Sequence, residues 1–207
     1  MSGLRLHYAS SNPGKLREFA LAAKNAGHTQ LTIEALPRLA EIPAPAEDAL
    51  SFEGNARTKA EYYSRFSPEL VVADDSGLEV AALGGEPGVH SARYAGAGAS
   101  EQANNELLLT RMQGQIDRSA RFVCVLALAR GGRVLETFRG TVPGKLLQQL
   151  RGNSGFGYDA LFVPCTASGQ VLTRSFGELT AEEKFALSHR GKALRALMDR
   201  LQRGDTP

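Results

Sequence analysis

An α/β fold on a mixed sheet is what this sequence predicts, and three observations carry the prediction. Short apolar runs alternate with stretches of helical period, two of those runs flank a Gly-Gly dipeptide, and neither a repeat nor a linker interrupts the series. Runs joined by two glycines form a hairpin, so part of the sheet is antiparallel and a purely parallel design is ruled out. At 207 residues the chain is long enough for one sizeable core, or for two small lobes sharing a sheet. One folding unit is expected.

"LRLHYA" reads as the first strand and "SSNPGK" as a polar loop. "LREFALAAKNAG" then places Leu16, Phe19, Ala20 and Ala23 on one helical face, with Gly27 as the stop. "LTIEAL" is the second strand, and the proline-rich, acidic "AEIPAPAEDAL" is a loop. A second helix is expected from Phe52 to Phe66, ended by Ser67-Pro68. "LVVAD" is the third strand, leading through Asp74 and Asp75 into a Ser-Gly turn, and "GGEPGVHSARYAGAGAS" is too rich in glycine to be regular. Ser100 caps the helix "EQANNELLLTRMQG", closed by Gly114. "RFVCVLALA" and "RVLETFRGTV" are the hairpin strands around Gly131 and Gly132, the first apolar on both faces and hence central. "ALFVP" is a last short strand. Thr180 and Glu183 form a capping box, Ser188 caps a second helical start, and Leu194, Leu197 and Leu201 mark the buried stripe of the final helix.

Bulk properties exclude several classes of partner. Against 24 Lys and Arg stand 22 Asp and Glu, interspersed, for a formal net charge of +2. Such a mild excess does not mark a nucleic-acid polymer as partner, though a small anion remains open. Cys124 and Cys165 lie far apart without a CxxC, so neither zinc nor a disulfide framework is indicated and a reduced, cytoplasmic setting is the default. The longest apolar run, around "FVCVLALA", is far below membrane-spanning length, so no membrane association is expected.

Four stretches have the residue types that chemistry needs. "SSNPGK" leads from a strand into a helix, where free N–H groups and the helix dipole converge beside Lys15 and suit phosphate or carboxylate. It is not a Walker A loop, because Leu16 rather than a hydroxyl residue follows the lysine. A Pro-Gly turn with a solvated lysine explains the stretch equally simply. Asp74 and Asp75 point to opposite sides if the backbone there is extended, which gives them different tasks, one of them holding a hard cation. A metal-free Asx-turn pair is the structural alternative. "GFGYDALF" sets two aromatics and an acid among glycines, so a base could stack there, unless the aromatics simply belong to the core. In "LTAEEKFALSHRGKAL" Arg190 falls on the buried stripe and needs an acceptor, whether an internal carboxylate or a ligand oxygen.

Together, in register over most of the chain, "SSNPGKLREF", "FEGNARTKA", "ADDSGLEVAALGGEPGVHSARYAG", "GFGYDALF" and "LTAEEKFALSHRGKAL" resemble the inosine triphosphate pyrophosphatase, or Ham1-like, family. The resemblance implies a single domain over residues 1–207: an elongated two-lobed α/β fold, a mixed sheet with flanking helices, and an active site in the cleft between the lobes. It further implies a homodimer and Mg²⁺-dependent hydrolysis of purine nucleoside triphosphates (ITP, dITP and XTP) to the monophosphate and pyrophosphate. Carried onto this chain, it puts Ser10, Ser11, Asn12, Pro13, Gly14 and Lys15 on the triphosphate, and Asp75 on the metal and as the base for water. Ser76, Phe156, Gly157, Tyr158, Asp159, Lys184, His189 and Arg190 fall at nucleotide-contacting positions, with Lys59 and Arg93 near the phosphates. The chain departs from the family's Glu-Glu-Thr-Gly stretch: "PAEDALSF" leaves Glu47 as the second metal carboxylate, with Asp48 beside it. A phosphatase releasing orthophosphate and a non-catalytic nucleotide sensor are the competing readings.

Overall fold

A computed structural model describes residues 4–25, 31–166 and 168–202. Six strands form one sheet: β1 (Leu4–Tyr8), β2 (Leu31–Ala35), β3 (Leu70–Val80), β4 (Ser119–Arg130), β5 (Arg133–Leu146) and β6 (Phe162–Pro164). Their order is β2-β1-β3-β4-β5-β6. β1 runs parallel to β2 and β3, whereas β5 and β6 are antiparallel, so the sheet is mixed as the sequence predicts. The helices are α1 (Pro13–Asn25), α2 (Phe52–Tyr63), α3 (Glu101–Arg111), α4 (Ala181–Leu187) and α5 (His189–Gln202).

The chain divides into two compact units. Residues up to Asp75, together with Cys124–Gly140 and the chain from Arg190 onward, form the first; Ser76–Val123 and Thr141–His189 form the second. In the first unit, Leu6, Leu70, Val72, Leu126, Leu128, Leu194 and Leu197 are buried, and Tyr8 stacks on Phe19 at 4.1 Å. In the second, Leu78, Leu108, Phe122, Phe162 and Phe176 belong to one apolar cluster. The strand apolar on both faces, β4, lies inside the sheet, and Gly131 and Gly132 take the positive φ angles of 57° and 82° that a two-residue hairpin requires.

Three local expectations are corrected. The first helix begins at Pro13, not Leu16: proline lacks the N–H that a first helical residue leaves unpaired anyway, and the Asn12 side chain accepts from Lys15 N at 3.1 Å. The third strand does not stop at a Ser-Gly turn but continues through Ser76 and Gly77 to Val80, because the segment is buried along nearly all its length and the ladder satisfies its backbone. The glycine-rich segment after it is partly ordered as 3₁₀ turns at Ala81–Leu83 and Gly88–Arg93. The helix stop assigned to Gly27 lies outside the described residues.

The caps expected at Ser100 and Thr180 form, and Ser51 supplies a further one. Ser51 Oγ accepts from Gly54 N at the start of α2, Ser100 Oγ from Ala103 N at the start of α3, and Thr180 and Glu183 close the capping box of α4. Ser188, with φ −71° and ψ 160°, breaks the helical path between α4 and α5.

Candidate functional site

In the first unit, the neighbouring aspartates of β3 look into different surroundings. Extended backbone turns successive side chains to opposite faces, and β3 stays extended here. Asp74 is buried: Lys15 Nζ lies 2.9 Å from it, Tyr8 OH donates to it at 2.7 Å, and a guanidinium nitrogen of Arg190 stands 3.7 Å away. Burial opposes ionisation of Asp74, but Lys15, Arg190, Lys59 and the Tyr8 hydroxyl outweigh it and hold the carboxyl well below the usual range. Arg190, on the buried stripe of α5, also pairs with Glu18 of α1. Its expected acceptor is thus an internal carboxylate, and the two anions beside it hold the guanidinium firmly protonated against the cost of burial.

Asp75 meets a different cation. Lys59 Nζ, from α2, donates to Asp75 Oδ1 at 3.2 Å and to Glu47 Oε2 at 3.0 Å. One ammonium is therefore shared by two carboxylates from separate segments. Asn55, one helical turn before Lys59 and fully buried, donates to Asp75 Oδ2 at 3.2 Å and accepts from Ala49 N at 3.0 Å. A single amide thus ties the aspartate to the loop that carries Glu47, whereas Asp48 is exposed. Burial raises the Asp75 pKa, and Lys59, Lys15 and Asn55 only partly offset it. Burial also disfavours the Lys59 ammonium, but Asp75, Asp74 and Glu47 together leave its pKa raised.

The oxygens of Asp75 and Glu47 thus converge on a point already held by a cation. Hard carboxylate oxygens suit Mg²⁺, which commonly takes one or two of them and completes its shell with phosphate oxygens and water. Among the described residues, no three or more His, Cys, Asp or Glu side chains group as a metal cage.

In the second unit, the "GFGYD" turn lies before a 3₁₀ turn at Asp159–Leu161 that leads into β6. Buried Asp159 accepts from Phe156 N at 2.8 Å and from Lys184 Nζ of α4 at 2.6 Å, so one carboxylate closes the turn and fixes the lysine. The same ammonium stands 4.5 Å from the centre of the Phe156 ring, within cation–π range. Gly155 is required here, since a Cβ would come within 2.1 Å of the Asp159 carboxylate. Tyr158 OH donates to Ser91 O at 2.8 Å, and His189 stacks on Phe122 at 4.7 Å.

The residues singled out from the sequence therefore fall in both units. Lys15, Glu47, Lys59, Asp75 and Arg190 belong to the first, with Ser10 and Asn12 at the mouth of α1, where Asn12 N donates to Ser10 Oγ at 3.3 Å. Ser11 and Pro13 are exposed and Gly14 is buried in the same helix start. Phe156, Gly157, Tyr158, Asp159, Lys184 and His189 belong to the second, as do the half-buried Ser76 and Arg93. Sequence reasoning missed Tyr8, Glu18 and Asn55. For Asn55 a signal existed: it precedes Lys59 by four residues, which on a helix is the same face.

Fold and side chains define an α/β protein with a carboxylate–ammonium cluster, Asp75, Glu47 and Lys59, in the first unit and a Phe156, Asp159 and Lys184 cluster in the second. The Ham1 family profile matches residues 6–200, and the chain belongs to the Ham1 family. It is 49% identical over 208 aligned positions to the dITP/XTP pyrophosphatase of Acidobacterium capsulatum, covering 96% of this chain and 98% of that one. To the dITP/XTP pyrophosphatase of Thermus thermophilus it is 42% identical, covering 100% and 96%. Among solved structures, the HAM1 protein of Coxiella burnetii superposes with a TM-score of 0.82 at 34% identity, covering 97% of this chain and 99% of that one.

Proposed function

We propose that the protein hydrolyses ITP, dITP and XTP to the nucleoside monophosphate and pyrophosphate, with Mg²⁺ held by Asp75 and Glu47. The observation that carries this reading is the single Lys59 ammonium shared by those two carboxylates, a cation position built from hard oxygen donors. The near full-length likeness to dITP/XTP pyrophosphatases supports the choice of substrate. When bound, Mg²⁺ neutralises triphosphate charge and acidifies nearby water.

Asp75 accepts the proton of the attacking water and aims its oxygen at the α-phosphorus. An O–P bond forms there, the bond from that phosphorus to the α,β-bridging oxygen breaks, and pyrophosphate leaves with its charge met by Lys15 and Lys59. Asp74 does not react; its pairing with Lys15 and Arg190 positions the lysine. Phe156 stacks the purine, and Lys184, held by Asp159, donates to the 6-keto oxygen that inosine and xanthine carry and adenine lacks. Facing adenine, that donor meets an amino group, and a mismatch of this kind discriminates by on the order of 10⁴-fold. The reading extends to a homodimer, which the family resemblance carries, working in the cytoplasm, in keeping with two free thiols.

The test is incubation with ITP, XTP, GTP and ATP, with Mg²⁺ or with chelator, assaying pyrophosphate and orthophosphate separately. Metal-dependent pyrophosphate from ITP and XTP, with little from ATP, is the expected result; guanine keeps the 6-keto oxygen, so little product from GTP requires in addition that the site lack room or an acceptor for the 2-amino group. Orthophosphate as product, or nucleotide binding without turnover, overturns the reading.

A further inference from the structure

Resting on that reading, a further role follows for helix α3, from which no residue has so far been drawn into recognition. Its buried face carries two adjacent asparagines followed by Leu108. Asparagine is a poor helix former, and a buried amide costs free energy unless it is bonded, so packing alone accounts for neither. Asn104 is satisfied at both ends: it accepts from Ala95 N at 2.8 Å and donates to Ala92 O at 3.2 Å, pinning the segment that carries Arg93.

Asn105 is different. Its Nδ2 donates to Gly157 O at 3.0 Å, while its Oδ1, also buried, has no hydrogen-bond partner among the described residues. A leucine here would remove that unpaired acceptor, but would leave the Gly157 carbonyl without its donor. The amide is thus retained at a cost, and its one bond goes to the centre of the Phe156–Asp159 turn. That turn is otherwise held at its ends, by Phe156 N and Lys184 on the Asp159 carboxylate, and through the Tyr158 hydroxyl on Ser91 O.

We infer that Asn105 is a positioning residue for purine recognition: by fixing the Gly157 carbonyl it sets the turn that presents Phe156 beside Lys184. It touches neither the reacting phosphorus nor the metal carboxylates. Its loss weakens base binding and leaves the hydrolytic step intact, so KM and kcat separate.

The experiment compares the wild type with Asn105→Leu and with the near-isosteric Asn105→Asp, which lacks the donor. It measures kcat and KM for ITP, the affinity for inosine monophosphate, and hydrogen exchange over residues 155–160. Expected are a KM for ITP and a Kd for inosine monophosphate raised roughly tenfold, kcat within about twofold (our threshold for an intact step), and faster exchange across the turn in the free protein. Wild-type exchange with unchanged nucleotide affinity, or loss of kcat at constant KM, in whichever variant folds, overturns the inference. Should the wild type release no pyrophosphate, the hydrolase reading fails by itself. Exchange and inosine monophosphate affinity still decide the role of Asn105, and exchange alone does so if that nucleotide is not bound.

Discussion

Asp74 and Asp75 differ in nothing but position, yet the strand hands them to different cations. Asp75, paired with Lys59 and Asn55, is the group assigned to water; Asp75→Asn should lower kcat by a factor of about 10³ or more while nucleotide affinity stays within severalfold. Single-turnover kinetics with ITP and equilibrium binding of inosine monophosphate check it, and near-normal turnover removes Asp75 from the mechanism. Asp74 carries a prediction about stability. Because its pKa is depressed in the folded state, the stability it contributes is complete above the unfolded value near 3.8 and is lost as pH falls below it. Asp74→Asn should therefore cost about 3 kcal/mol at neutral pH, for it leaves buried cations short of an anion, and distinctly less near pH 3. Urea denaturation at both pH values reads this directly, and an equal cost at the two would show that charge pairing is not the cause.

At the scale of elements, helices matter through which of their turns carry polar side chains inward. α2 buries Phe52, Asn55, Ala56 and Ala60, and so brings Asn55 and Lys59 to Asp75. Its start depends on the Ser51 cap, and Ser51→Ala should destabilise the protein by about 1 kcal/mol. A thermal melt detects it, and an unchanged midpoint would mean the cap is dispensable. The Phe156–Asp159 turn makes a sharper case, since Gly155→Ala forces a methyl into the space of the Asp159 carboxylate. The Lys184 pair should then be displaced and KM for ITP should rise about tenfold or more, with turnover of bound substrate largely kept. Steady-state kinetics on ITP test this; a wild-type KM would show that the turn adapts without cost.

For the molecule as a whole, the two thiols report on packing. Cys124 is buried on β4 and burial pushes its thiol up to about 12, whereas Cys165 is half-buried. A native thiol titration at pH 8 should register one reactive cysteine, with Cys165→Ser abolishing the fast phase and Cys124→Ser leaving it. Two equally fast thiols would contradict the burial of β4.

Much of this architecture is legible in the chain itself. The hairpin at Gly131 and Gly132, the central character of β4, the caps at Ser100 and Thr180 and the break at Ser188 all follow from local chemistry, in which a residue's neighbours in sequence decide its conformation. The family motifs single out Lys15, Asp75 and Phe156, and the structure sets each beside a charged side chain, Asp74, Lys59 and Lys184 respectively. Where local rules compete with burial they mislead: a Ser-Gly pair reads as a turn, yet the buried β3 ladder runs through it. Only the tertiary structure pairs Tyr8 with Asp74 across 66 positions, Arg190 with Glu18 across 172 and Asn105 with Gly157 across 52. Periodicity records which face a side chain occupies, but a buried charge or amide takes whichever partner the packed core brings near, and no spacing along the chain encodes that meeting.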